Sequence, residues 1–193
     1  QSENRSEFYI AVRLPALPKI MMEKKIAVAA GTMLPVMEAF YTIQGEGTFS
    51  GHPAYFIRLG GCDVGCVWCD VKDSWEAAKW PVLAIEDIVA EAAQYPGRKV
   101  VITGGEPLMY NLNPLTTLLK KEGFTTHIET SGAHPFSGDF DWVCFSPKKF
   151  KAPHPNRQPI LKYWGSTMCL IAFMRTISFH KSGKALIQSP RTA

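Results

Sequence analysis

Apolar positions in this chain gather into short runs whose period changes from one run to the next. Ala54-Tyr55-Phe56-Ile57-Arg58-Leu59 is strand-like and holds a single charge. Ile85, Ile88, Val89, Ala92 and Ala93 recur at helical spacing, predicting a helix over about 84–94 that Tyr95-Pro96-Gly97 ends. A second strand is expected over 99–103. A second helix carries Leu115, Leu118 and Leu119, with Asn113 as its expected cap and Gly123 as its stop. Two further strands follow at 124–130 and 142–145. Residues 1–20 follow neither period and contain Pro15 and Pro18, so they are expected to be a leader, with Met21 or Met22 a plausible natural start. The folded core is expected over 21–155; within 156–193 the one strand-like run is 168–173.

Strands that alternate with helices argue for an α/β fold, a parallel sheet and right-handed crossovers. Ligands bind such sheets at the C-terminal ends of the strands. Residues 62–69, 103–106, 129–131 and 146–148 are polar and all fall at that edge, so together they predict a site.

Composition changes the picture little. At 193 residues, with 46% hydrophobic and 20% charged, the chain fits one soluble globular domain. No apolar run is long enough for a membrane span. The start at Gln1 without a charged-then-apolar segment argues against secretion, and clustered thiols without a disulfide framework suit a reducing cytosol. The net charge of +4 suggests nucleic acid until it is divided along the chain. Residues 21–155 hold 12 Lys/Arg against 15 Asp/Glu, whereas 156–193 hold six bases and no acid. The excess belongs to an atypical basic tail, expected to be foreign to the fold or out of frame, and implies no nucleic-acid partner.

The candidate chemistry centres on Cys62-Asp63-Val64-Gly65-Cys66-Val67-Trp68-Cys69. Three thiolates on so short a loop can converge on one metal centre. They would hold three irons of a 4Fe-4S cube and leave one open, since a cube held by protein alone takes four cysteines. Zinc is the first rival, but Cys144 and Cys169 stand alone and His52 and His127 are distant in sequence, so its fourth ligand must come from an unrelated segment. Three unrelated buried thiols are the third reading, against which the polar, glycine-rich run 60–65 weighs. Spacing alone leaves iron–sulfur and zinc both open.

Other motifs are weaker one by one. Gln44-Gly45-Glu46-Gly47 allows close backbone approach to a ligand with polar groups to read its edges, or is a solvated turn. Arg58 suits bidentate carboxylate recognition, or is a solvent-facing charge on an edge strand. Gly104-Gly105-Glu106-Pro107 leaves backbone groups uncovered for a ligand, or is an ordinary strand-to-helix turn.

Taken together, Cys62-x3-Cys66-x2-Cys69 and Gly104-Gly105-Glu106-Pro107 resemble the radical SAM superfamily, in which three cysteines hold a 4Fe-4S cluster and S-adenosylmethionine chelates the fourth iron. Within it the chain is similar to the 7-carboxy-7-deazaguanine synthase family of queuosine and 7-deazapurine biosynthesis. That similarity rests on 40–47, 56–62, 103–107, Glu129-Thr130-Ser131-Gly132 and Phe145-Ser146-Pro147-Lys148, and covers about 37–154.

The resemblance implies an incomplete (βα) barrel with a mostly parallel sheet, usually a homodimer, in the cytoplasm. It implies a lyase that converts 6-carboxy-5,6,7,8-tetrahydropterin to 7-carboxy-7-deazaguanine with loss of ammonia, fed by an electron donor such as flavodoxin or ferredoxin. Cleavage of S-adenosylmethionine would give a radical that abstracts hydrogen from C6 of the substrate. Cys62, Cys66 and Cys69 would bind the cluster. Ile43, Gln44, Gly45, Arg58 and Thr103 would bind substrate. Trp68, Asp70, Gly105, Glu106, Glu129, Ser131, Ser146, Pro147 and Lys148 would bind S-adenosylmethionine, with Glu106 against its ammonium.

The sequence departs from the family pattern twice. Where the family carries a magnesium-binding Thr after Cys-Asp, Val71 follows Cys69-Asp70, and it offers no oxygen; Asp70 through water, or Asp73, would have to substitute. From Asn156 onward the match ends. Two other readings are a different radical SAM enzyme, such as an activase that installs a glycyl radical, and a zinc-bound interaction module without enzymatic activity.

Overall fold

A computed structural model describes residues 19–67, 69–146 and 148, and the backbone of three strands between 168 and 187. The described elements run α1 (Lys19–Ala30), β1 (Met33–Ile43), β2 (Pro53–Leu59), β3 (Val82–Ala84), α2 (Ile85–Ala92), β4 (Lys99–Gly104), α3 (Asn113–Lys121), β5 (Thr125–Thr130), β6 (Trp142–Phe145), β7 (Met168–Ala172), β8 (Arg175–Phe179) and β9 (Ala185–Ile187). One sheet takes all nine described strands in the order β3-β1-β2-β4-β5-β6-β7-β8-β9. From β2 to β7 every pairing is parallel; β1 and β3 on one side and β8 and β9 on the other are antiparallel. The sheet is open rather than closed, as an incomplete barrel requires.

Alternation along the strands divides the sheet into two faces. Tyr55, Ile57, Leu59, Val100, Ile102, Ile128, Val143 and Phe145 join the main core, which α2 completes with Ile88 and Val89 and α3 with Leu115 and Leu119. The intervening residues Phe56, Val101, Trp142 and Cys144 belong to smaller clusters with Phe40 and Phe49. Arg58 and Thr103 follow Phe56 and Val101 on this second face, where the cleft lies.

Three elements differ from the sequence expectations. β1 is an eleven-residue strand that the pattern did not announce, because Pro35 and Glu38 interrupt its apolar run and a bulge shifts its register between Val36 and Glu38. Asn113 is not the cap of α3: the helix starts at Asn113 itself, whose Oδ1 accepts from Gly138 N at 2.8 Å, while Asn111 Oδ1 accepts from Asn113 N at 3.2 Å. Gly123 does stop that helix, with φ +80° and with hydrogen bonds donated by Gly123 N to Lys120 O and by Phe124 N to Leu119 O. Finally, three strands lie between 168 and 187 where one was expected. β7 continues the parallel series, and β8 and β9 then pair antiparallel. Residues 1–18, most of the expected leader, lie outside the described residues, and α1 begins at Lys19.

Candidate active site

The C-terminal ends of the parallel strands surround a cleft of about 560 Å³. Its lining brings together Cys62, Cys66 and Cys69 with Gln44, Gly45, Arg58, Asp70, Thr103, Gly105, Glu129, Ser131, Ser146 and Lys148. Thus four separate polar stretches meet on one rim. Trp68 and Pro147 lie outside the described residues, and Ile43 is 63% exposed and outside the lining.

The cysteine loop is tied to the end of β4 by close backbone contacts. Gly105 N donates to Leu59 O at 3.1 Å, and Glu106 N donates to Gly61 O at 2.9 Å. A Cβ on Gly105 would sit 2.3 Å from Gly61 O and 2.6 Å from Cys62 Cβ, so only glycine permits this approach. This corrects the expectation that the glycine turn leaves its groups uncovered for a ligand. Both amides are spent on holding the cysteine loop.

Glu106 also has a different task from the one expected. It is fully buried, is not in the lining, and accepts from Leu108 N at 3.1 Å, Thr130 Oγ1 at 2.5 Å, Ser131 N at 2.9 Å and Ser131 Oγ. Both oxygens are engaged, so the carboxylate holds the 130–131 turn beneath the cleft instead of presenting itself to an ammonium. Among the carboxylates that do line the cleft, Glu129 accepts from Thr103 Oγ1 at 3.1 Å and Gln44 Nε2 at 3.4 Å.

Arg58 is not on an edge strand, since β2 lies between β1 and β4. Its Nε donates to Glu38 Oε1 at 2.5 Å. Glu38 was not singled out by the sequence; once β1 is recognised as antiparallel to β2, the cross-strand pairing of Glu38 with Arg58 is its signal. Cys144, Phe40, Phe56 and Trp75 also line the cleft without having been anticipated there, because their apolar character reads as core.

The thiols suit an iron–sulfur cluster. All three are part-buried on one wall, Cys69 N bonding Cys66 O at 3.1 Å to fold the loop over. Burial pushes the Cys62 thiol up; the Val64 backbone pulls it back, and Glu106, Cys66 and Cys69 push it further up by like charge. A cationic centre would relieve that repulsion. His52 and His127 do not serve as a fourth zinc ligand: their rings pack around Phe49, with centroids at 5.7 and 4.6 Å, and neither lines the cleft. Among the described residues no three His, Cys, Asp or Glu side chains stand close enough together to hold a single metal ion as they are.

Magnesium fits less well. Asp70 lines the cleft but Asp73 does not, and Val71 O is taken by Ser74 N at 3.1 Å and Ser74 Oγ at 2.6 Å. One carboxylate does not make a protein-held octahedral site. Among the described residues, no helix is long and apolar enough to cross a membrane.

Comparison with known proteins agrees with this geometry. Residues 56–142 match the radical SAM superfamily. The chain is 57% identical over 131 residues to the 7-carboxy-7-deazaguanine synthase of Flavobacterium psychrophilum, covering 68% of this chain and 62% of that one. It is 48% identical over 126 residues to the Synechocystis 7-carboxy-7-deazaguanine synthase, covering 65% of this chain and 61% of that one. The crystal structure of QueE from Escherichia coli superimposes with a TM-score of 0.59 at 43% identity, covering 64% of this chain and 63% of that one. The chain therefore spans about three-fifths of the length of these relatives. Cysteine loop, parallel sheet and sequence similarity point the same way: residues 56–142 resemble the radical SAM superfamily, and the chain is similar to 7-carboxy-7-deazaguanine synthases.

Proposed function

We propose that this chain is a radical SAM carbon–nitrogen lyase that converts 6-carboxy-5,6,7,8-tetrahydropterin to 7-carboxy-7-deazaguanine with loss of ammonia, in queuosine biosynthesis. The observation that carries the reading is a single cleft in which the three-cysteine loop faces Arg58, Thr103 and Glu129 on neighbouring strands. When bound, the cluster and S-adenosylmethionine would supply the one-electron chemistry that starts such a reaction.

The chain's own residues bind and orient. Cys62, Cys66 and Cys69 would hold three irons. Arg58 grips the substrate carboxylate, a task that the planar guanidinium performs with two parallel bonds. Gln44 and Gly45 border the ring, and Thr103 and Gln44 steady Glu129. Asp70, Gly105, Ser131, Ser146 and Lys148, the last donating to Ser146 Oγ at 2.8 Å, would flank the second cofactor, along with Trp68 and Pro147. Phe40, Phe56 and Trp75 narrow the water around the reacting atoms. Magnesium is assigned no step.

The proposal takes a one-electron donor such as flavodoxin or ferredoxin and a homodimer, both supported by the resemblance alone, and a cytoplasmic setting, which the clustered thiols also suit. It also keeps 156–193 as a segment foreign to the enzyme, supported by six bases without an acid; the parallel pairing of β7 with β6 weighs against it.

The test is anaerobic reconstitution with iron and sulfide, then incubation with reductant, S-adenosylmethionine and the carboxylated pterin. The proposal expects 7-carboxy-7-deazaguanine from this chain, or from a chimera in which an intact relative's segment replaces 156–193. Cleavage of S-adenosylmethionine in both proteins without that product would defeat the substrate assignment. Turnover by the chain as it stands, equal to the chimera's, would defeat the reading of the tail.

A further inference from the structure

Glu38 and Arg58 face each other across the antiparallel β1–β2 ladder, just past the bulge in β1. Their side chains are 46% and 22% exposed, and Arg58 lines the cleft, whereas Glu38 does not. The contact is specific in its atoms, with Arg58 Nε donating to Glu38 Oε1. A guanidinium carries one N–H on Nε and four on its two Nη atoms, arranged in a rigid plane. With the Nε edge occupied, the edge left for two parallel bonds to one carboxylate is the Nη1–Nη2 end.

We propose that Glu38 is a positioning residue that turns Arg58 end-on toward the ligand carboxylate, an inference that rests on the reading of Arg58 given above. Two consequences follow physically. A long side chain held at one atom loses fewer rotamers when the ligand arrives. The pair is also electrically balanced before binding, so the cleft does not draw any small anion through an unpaired cation. Glu38→Gln keeps an Oε1 acceptor for Nε while removing the charge, and thereby separates these contributions; Glu38→Ala removes both.

The test is calorimetric binding of 6-carboxytetrahydropterin, and of the same pterin without its carboxylate, to the cluster-reconstituted full chain loaded with S-adenosylmethionine. Glu38→Ala is expected to weaken the carboxylated ligand by about three- to tenfold, as befits a half-exposed charge-assisted contact. Glu38→Gln should recover most of that loss, and the ligand without a carboxylate should bind both variants as it binds the parent. Adding Glu38→Ala to Arg58→Lys should cost nothing further, because Glu38 acts through the guanidinium. If Arg58→Lys weakens the carboxylated ligand and Glu38→Ala does not, the inference fails and Arg58 keeps its role. If Arg58→Lys has no effect, the carboxylate reading of Arg58 fails first. Equal losses for both ligands, or full additivity in the double variant, would make Glu38 a merely structural residue and overturn the proposal.

Discussion

Thr103 Oγ1 donates to Glu129 Oε2 at 3.1 Å, joining the ends of β4 and β5 inside the cleft. Gln44 Nε2, arriving from the end of β1, reaches the other oxygen of the same carboxylate at 3.4 Å. The carboxylate is therefore steadied from β4, its neighbour in the sheet, and from the end of β1, which lies further along the sheet, and the shorter bond is the firmer one. Thr103→Val removes that bond with little change of shape and should weaken binding of the carboxylated pterin by about 1 kcal/mol, roughly fivefold. Titration calorimetry on the reconstituted protein checks it; parent-like affinity would mean that the bond does not position Glu129 for the ligand.

Iron content tests the cysteine loop without any need for turnover. Reconstituted protein should carry about four irons per chain, as for other cubes held by thiolates. Cys62→Ala, Cys66→Ala and Cys69→Ala should each lose the cluster, whereas Cys144→Ala, on β6, should keep it. Iron and sulfide analysis with an absorption spectrum reads the outcome, and a zinc-loaded, colourless protein would dismiss the cluster.

Gly105→Ala should act on the cysteine loop from outside it. The added methyl group meets Gly61 O and the Cβ of Cys62 at distances that no packed carbon tolerates, so the loop has to shift. Overpacking of this kind costs about 1–3 kcal/mol. Denaturant unfolding should show that loss, and the reconstituted variant should retain iron less well. A variant as stable as the parent and as rich in iron would show that the Gly105 contact is slack.

The pH dependence of stability should carry the mark of His127. This side chain is 6% exposed beneath Phe49. Burial, with Lys99 beside it, pushes its pKa down to about 4, against an opposing pull from Asp141. An unfolded histidine titrates near 6.5. Above that pH neither state binds the proton; as pH falls through 6.5 the unfolded state takes it and the folded state does not. Stability is thus lost between about pH 6.5 and 4, by on the order of 3 kcal/mol. Chemical denaturation of the parent and His127→Phe across this window should show a shallower fall in the variant, and parallel curves would mean that His127 is protonated in the folded state.

Much of this protein is local in origin. The helical spacing of Ile85, Ile88, Val89 and Ala92, the stop at Gly123 and the strand runs ending in polar residues were legible because period and backbone freedom are properties of neighbouring residues. So was the cysteine loop, whose three ligand candidates lie within eight consecutive residues. Alternation of strands and helices then implied which edge of the sheet would carry the site. Contacts between distant segments were a different matter. Whether Glu106 faces a ligand or the floor depends on Thr130 and Ser131, residues from another strand end that take up its oxygens. Whether the amides of Gly105 and Glu106 are open depends on Leu59 and Gly61, more than forty residues earlier. β1 stayed hidden because its hydrogen bonds come from β2 and β3, not from its own pattern, and Glu38 stayed hidden with it. The sequence by itself determined the kinds of groups at the rim and the strands that deliver them. Tertiary structure decided which of those groups remain available, since a buried donor or acceptor is claimed by whichever partner the fold brings within reach.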